Sequence, residues 1–262
     1  MVFNAIMPGS STSAIILRRV DYGDYDLILS FLTSDRGKIS AIAKSAKKST
    51  KRFAGVLEQF SILQIVCSTG RRRSSLPILQ EALLIKPFPR IRADIEKTAY
   101  ASYWSEIIDS WSEEGQQQND LFRLFRHVLV QLDQSGMPPA VLSILFQLRF
   151  LRISGFRPNL NGCVACRREL DQIKRNTLHF DLSRGGLMCG RCSSSVSPRL
   201  VLSKGSIKQL LWLEKEALSK ADRIRFSRQA LDESLNLLET FVPYHLGQEP
   251  RSLTFLRQIR QS

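Results

Sequence analysis

Histidine is scarce in this chain of 262 residues: His127, His179 and His245 stand far apart, each isolated. Such isolation gives no sign of a histidine-based catalytic constellation. No GxxxxGK[ST] phosphate loop and no GxSxG elbow occur, which sets aside a P-loop ATPase and an α/β-hydrolase. Acidic residues are absent from residues 36–57. A two-metal nuclease needs clustered carboxylates beside its substrate, and this basic region offers none. Long apolar runs are also missing. The run from Met137 to Leu148 is shorter than the roughly 20 residues a membrane-spanning helix requires. The first basic residue is Arg18, and Pro8-Gly9-Ser10-Ser11 interrupts the segment before it, so no signal peptide is read. These absences describe a soluble, cytoplasmic protein with no catalytic constellation.

What is present is positive charge. The net charge is +14, from 38 Lys+Arg against 24 Asp+Glu. Residues 1–80 hold 12 basic against 5 acidic residues, whereas 81–160 hold 9 of each. A second excess, 7 against 3, falls in 161–200. Solvated surface lysines would spread more evenly, so the asymmetry favours a polyanionic partner. Hydrophobic residues make up 43% of the chain, enough for a buried core.

The pattern along the chain predicts an α+β protein. Ala14–Val20, Asp26–Thr33 and Lys38–Ala43 read as three strands, with the hairpin signal Ser34-Asp35-Arg36-Gly37 between the last two. After a polar, basic connection over 44–57, Phe60–Cys67 and Ile78–Ile85 read as two more. Three strands, a long connection and two strands match an OB-fold, a five-stranded Greek-key barrel, although an SH3-like barrel would read similarly. Pro87-Phe88-Pro89 closes this unit. Helices follow: Ile91 to Trp111, one capped by Asn119, one opened by Pro138-Pro139 and ended at Gly155, one capped by Ser203 running to about Lys220, and one over 225–242 that Pro243 should kink or stop. The expected organisation is an OB-fold nucleic-acid-binding domain over 1–86, a helical domain over 87–156 and 201–262, and a cysteine module inserted at 157–200. Trp104 and Trp111 lie at helical spacing, which favours core packing over base stacking.

Four of the five cysteines form two pairs, Cys163-Val-Ala-Cys166 and Cys189-Gly-Arg-Cys192, separated by 22 residues. A CxxC turn aims two thiolates at one point, and two such turns complete a tetrahedral site. One structural zinc per chain is therefore expected on Cys163, Cys166, Cys189 and Cys192, with Gly190 suiting a tight knuckle turn. Two buried free-thiol pairs or an iron–sulfur cluster are the alternatives. Thr177–Asp181 reads as a short strand between the pairs, with a turn at Arg184-Gly185-Gly186. His179 is read as a strand or surface residue and Cys67 as a small buried hydrophobe.

Residues 36–57 carry Arg36, Lys38, Lys44, Lys47, Lys48, Lys51 and Arg52, and Arg71-Arg72-Arg73 lies between the last two strands. The two sets are expected to border one groove that tracks a phosphate backbone, with Tyr22, Tyr25 and Phe53 available for stacking. The alternative readings are an exposed loop with no ligand and a scaffold that binds an acidic protein partner.

The motif set resembles a known family. Ala14-Ile-Ile-Leu-Arg-Arg-Val-Asp-Tyr-Gly-Asp-Tyr-Asp26, Leu32-Thr-Ser-Asp-Arg-Gly-Lys38, Ala43-Lys-Ser-Ala46 and Arg52-Phe53 are similar to the opening of RecO, the bacterial recombination mediator. Ile153-Ser-Gly-Phe-Arg-Pro-Asn-Leu160, the two CxxC pairs with Phe180 and Gly185-Gly186, and Tyr244-His-Leu-Gly247 with Arg251-Ser252 and Phe255-Leu256 continue the resemblance in order. The leading Met1–Ser11 segment is longer than the family pattern. The resemblance implies an OB-fold, a helical domain and an inserted zinc module. It implies binding of single- and double-stranded DNA, annealing of complementary strands, partnership with RecR, contact with the acidic tail of single-stranded-DNA-binding protein, and help in loading RecA. It places DNA contacts at Arg36, Lys38, Lys44 and Arg52, while Lys47, Lys48, Lys51 and Arg71–Arg73 are assigned from charge alone. Some family members lack the cysteines, which implies a structural role for the metal.

Overall fold

The computed structural model describes residues 11–68, 76–134, 136–193 and 200–261. The leading segment through residue 10 and Arg71, Arg72 and Arg73 lie outside the described residues. The chain divides into two compact units, Met1–Gln134 and Ser135–Ser262.

In the first unit β1 (Ser11–Tyr22), β2 (Asp26–Thr33), β3 (Gly37–Ala43), β4 (Ile62–Ser68) and β5 (Ile78–Lys86) close a barrel in the order β1-β2-β3-β5-β4. The closure follows from alternation: side chains one residue apart face opposite sides of a strand. Leu27, Leu29 and Phe31 on β2, Ile39, Ala41 and Ala43 on β3, and Leu63, Ile65 and Cys67 on β4 all point into one core. Burial pushes the Cys67 thiol up to about 11, consistent with a small hydrophobe. β1 begins and ends further out than its apolar run suggests. A register shift between Ile16 and Arg18 turns Arg18, Arg19 and Val20 outward while β1 keeps its pairing with β2. The five-stranded, OB-like barrel agrees with the expected fold.

Three helices belong to the same unit: α1 (Pro89–Arg92), α2 (Ile95–Trp111) and α3 (Asn119–Gln134). The continuous helix expected from Ile91 is broken at Ala93-Asp94. The Asp94 carboxylate accepts the Lys97 N–H and starts α2 afresh, leaving Ile95 exposed. Trp104 is fully buried beside Tyr100, with ring centroids 6.1 Å apart, so it packs rather than stacks on a base. α3 starts at Asn119, and its first-turn donor Phe122 N–H meets the Gln118 carbonyl, so Asn119 stands inside the helix and not at its cap.

The second unit is built on α4 (Pro139–Ile153), which is buried on nearly every side. β6 (Thr177–Asp181), β7 (Gly186–Met188) and β8 (Leu200–Ser203) form a sheet in the order β7-β6-β8, followed by α5 (Lys204–Lys215), α6 (Arg228–Leu246) and α7 (Arg251–Gln261). Ser203 caps α5 as expected, accepting the Ser206 N–H. α5 stops at Lys215, not Lys220. Pro243 does not stop α6, which runs on to Leu246. A proline withdraws the N–H that would meet the carbonyl four residues back. Here that carbonyl, on Glu239, accepts instead from Arg257 Nη2 of α7 at 3.1 Å. The Glu239 carboxylate, almost fully buried, is held by Arg260 at 2.7 Å and by Arg257. The closing helix thus repairs the defect that the proline creates.

Candidate functional site

The basic residues singled out from the sequence separate onto two ends of the barrel. Arg36 and Lys38 sit at the β2–β3 turn. Lys38 Nζ lies 3.0 Å from Asp109 Oδ1 on α2, and its backbone carbonyl accepts the Gly115 N–H. Gly37, in the left-handed region at φ 70°, presses against the Gln116 carbonyl so closely that a Cβ would overlap it. Lys38 therefore tethers barrel to helix. Arg36 is half-buried beside Asp35 at 3.7 Å.

The other end gathers the β3–β4 connection against the β1–β2 turn. β3 spans about 20 Å between the two ends, from its length and the rise per strand residue. Lys44 Nζ meets Asp26 Oδ2 at 2.7 Å, and Lys47 Nζ meets Asp21 Oδ2 at 3.0 Å. The Lys44 hydrogen bond, with the Ser45 backbone N–H, holds the Asp26 carboxyl below its ordinary range. Lys48 Nζ stands 3.4 Å over the Tyr25 ring. Arg52 donates to the Lys44 carbonyl at 2.8 Å and lies over Phe53. Lys51 is exposed and forms no ion pair with the described residues. The acids that answer this run come from β1–β2, which a count over 36–57 misses. Tyr22 and Tyr25 are 53% and 45% exposed, whereas Phe53 is buried in the barrel core and offers no stacking face. The strands flanking Arg71–Arg73 end at this same side: Ile78 pairs with Ile42, just before Lys44.

The four paired cysteines converge in the second unit. Their sulfurs lie within 4.8 Å of one another, and Cys166 and Cys189 are 3.8 Å apart. Two docking contacts bring the knuckles together. Asn159 exchanges hydrogen bonds with Gly185 and Leu187, and the Val164 N–H meets the Leu187 carbonyl, laying the first knuckle along β7. Gly186 permits this contact, since a Cβ would lie 2.3 Å from Val164 Cγ1. The Cys189 N–H points at Cys163 Sγ at 3.3 Å. Burial pushes the Cys163 thiol up, but the backbone N–H groups of Cys166, Cys189 and Ala165 outweigh it and hold it down at about 6. Cys192, hydrogen-bonded to Cys189 and partly buried, is pushed up to about 12. One negative sulfur is thus well supported, and further ones at such close range call for a cation among them. His179 projects from β6 outside this group. Gly190 is not needed for an unusual backbone angle. A Cβ there would meet only the outer atoms of the exposed Arg175 side chain, 2.6 Å from Nη1, and that side chain can swing aside.

Two family models cover most of the chain: "Recombination protein O N terminal" over residues 7–88 and "Recombination protein O C terminal" over residues 92–254. The DNA repair protein RecO of Desulfatibacillum aliphaticivorans is 47% identical over 255 residues, spanning 97% of this chain and 99% of that protein. RecO of Desulfosudis oleivorans is 46% identical over 97% of this chain and 99% of its own length. RecO of Syntrophus aciditrophicus is 35% identical over 95% and 96%. Among the described residues no helix is long and apolar enough to cross a membrane. With a barrel matching the first model, the helices and cysteine knuckles that follow it matching the second, and relatives aligned nearly end to end, the chain belongs to the RecO family of DNA repair proteins.

Proposed function

We propose that this protein is a recombination mediator that binds single- and double-stranded DNA and anneals complementary strands without covalent chemistry. The supporting observation is the cation-rich end of the barrel. Lys44, Lys47, Lys48, Lys51 and Arg52 stand exposed together there, Asp21 and Asp26 answer only two of them, and Tyr22 and Tyr25 lie alongside. Cations at such a surface neutralise phosphates and release their counterions, which lowers the repulsion between two strands while base pairing supplies the driving energy. Arg71, Arg72 and Arg73 are part of the proposed contact set by charge. Arg36 and Lys38 contribute less in this reading because packing engages them. RecR, the acidic tail of single-stranded-DNA-binding protein and, indirectly, RecA are the proposed partners, at home in the cytoplasm beside the nucleoid.

The proposed metal is zinc, one per chain, on Cys163, Cys166, Cys189 and Cys192. Tetrahedral Zn–S bonds of about 2.3 Å separate adjacent sulfurs by about 3.8 Å. The Cys166–Cys189 distance of 3.8 Å agrees with that spacing. An iron–sulfur cluster would hold its thiolates further apart, because irons and sulfides occupy its middle. Four protein ligands fill the coordination sphere, so the ion would brace the two knuckles and leave no position for catalysis.

The test is binding of fluorescent single-stranded DNA across a salt series. Contact with about six phosphates gives a log–log slope near −4. Replacing Lys44, Lys47, Lys48 and Lys51 together by Gln should flatten it. A wild-type slope indistinguishable from zero would overturn the proposal.

A further inference from the structure

A cleft of about 430 Å³ opens beside the second knuckle of the cysteine centre. Arg168, Lys174, Arg175 and Arg191 line it with Ile173 and Gly190, and no acidic residue lines it. The neighbouring Asp171 pairs outward with Lys208 at 3.4 Å. Among the described residues, none of the four lining cations forms an ion pair. This differs from the barrel, where Lys38, Lys44 and Lys47 each meet a carboxylate. Four like charges around one concavity repel one another, and among the described residues no carboxylate pairs with them.

The cysteine centre accounts for only part of this charge. Four thiolates around one dication carry two net negative charges, which two cations would balance. Arg175, packed across Gly190, is placed to be one of them. The remainder faces the cleft. No aromatic side chain lines it, so it lacks a platform for a base. Its volume exceeds that of a lone phosphate and suits a short stretch of sugar–phosphate chain.

We propose that this cleft is a second, sequence-independent contact for the phosphate backbone of a nucleic-acid strand, made by Arg168, Lys174, Arg175 and Arg191. It rests on the DNA-binding reading above and extends it to the second unit. The barrel contact and the cleft contact would each add to the salt dependence.

The experiment measures salt slopes of single-stranded DNA binding for three full-length proteins. They are the wild type, a cleft variant (Arg168→Gln, Lys174→Gln, Arg175→Gln, Arg191→Gln) and a barrel variant (Lys47→Gln, Lys48→Gln, Lys51→Gln). Each cation that meets a phosphate contributes about 0.7 to the slope on single strands. The cleft variant should therefore lose about 1.5–3 from the magnitude of the slope. An unchanged cleft slope with a diminished barrel slope overturns this inference and leaves the barrel reading standing. No salt dependence in the wild type overturns both. Loss of binding to an acidic peptide with DNA binding intact assigns the cleft to protein and overturns the inference. Because the fourfold variant can disturb the knuckle, acetylation of Lys174 is also followed in the wild type by mass spectrometry. Bound oligonucleotide should slow it several-fold, and an unaltered rate counts against the cleft whatever the variant does.

Discussion

Replacing Lys38 by Gln separates a structural cation from a DNA-binding one. Lys38 Nζ and Asp109 Oδ1 are 3.0 Å apart, with side chains only 16% and 18% exposed. Two unit charges at that distance attract by about 5 kcal/mol at an effective dielectric constant near 20. Desolvation of both groups offsets much of this. Leaving Asp109 without its cation should cost about 2 kcal/mol, in the range of a charge-assisted hydrogen bond. For a unit of this size that lowers Tm by roughly 6–8 °C. Calorimetry on the full chain reads the transition of the barrel-containing unit, and anisotropy on a fluorescent oligonucleotide reads DNA binding well below it. Lys38→Gln should lower the transition while leaving the salt slope unchanged, and the double variant with Asp109→Asn should lose less than the two singles combined. An unchanged transition with a slope smaller by about 0.7 would show that Lys38 spends its charge on phosphate, and the tether account would be wrong.

Three further outcomes are expected. Burial holds the His245 imidazole below its ordinary pKa, between Phe156 at 4.2 Å and Phe241 at 4.4 Å. The unfolded chain then takes the proton more readily, so this contribution is intact above about pH 6.5 and is lost as pH falls through the folded value. Melting of the second unit from pH 7.5 down to 5 should show the loss, and His245→Phe should flatten it. Arg257→Ala removes the donor that serves the Glu239 carbonyl freed by Pro243. It should cost about 2–3 kcal/mol in denaturant unfolding, whereas Arg257→Ala combined with Pro243→Ala should recover part of that loss. Metal analysis of protein purified without chelators should find one zinc per chain. Cys189→Ser should abolish it and destabilise the second unit by several kcal/mol, since metal binding and folding of such a module are coupled; metal-free wild type of equal stability would refute the structural role.

The linear chain carried a good deal of this. The apolar, β-branched run Ala14–Val20, and the segments Asp26–Thr33 and Lys38–Ala43 set off by a turn and a hairpin signal, marked the strands, because short apolar runs between turn residues favour extended chain. The paired CxxC spacing marked the cysteines that meet, since each turn fixes two sulfurs locally and only one docking remains to be made. Folding decided what local patterns do not encode. The count of residues 36–57 showed no acid, yet Asp21 and Asp26 reach Lys47 and Lys44 across the barrel end, and Asp109 takes Lys38 at the other. Proline chemistry predicted a kink or a stop at Pro243; α6 runs on to Leu246, and a guanidinium from α7 serves the carbonyl left without its donor. Charge and periodicity are properties of short segments and survive in the sequence. Which cation is already compensated depends on groups brought close from distant positions, and only the folded chain determines that.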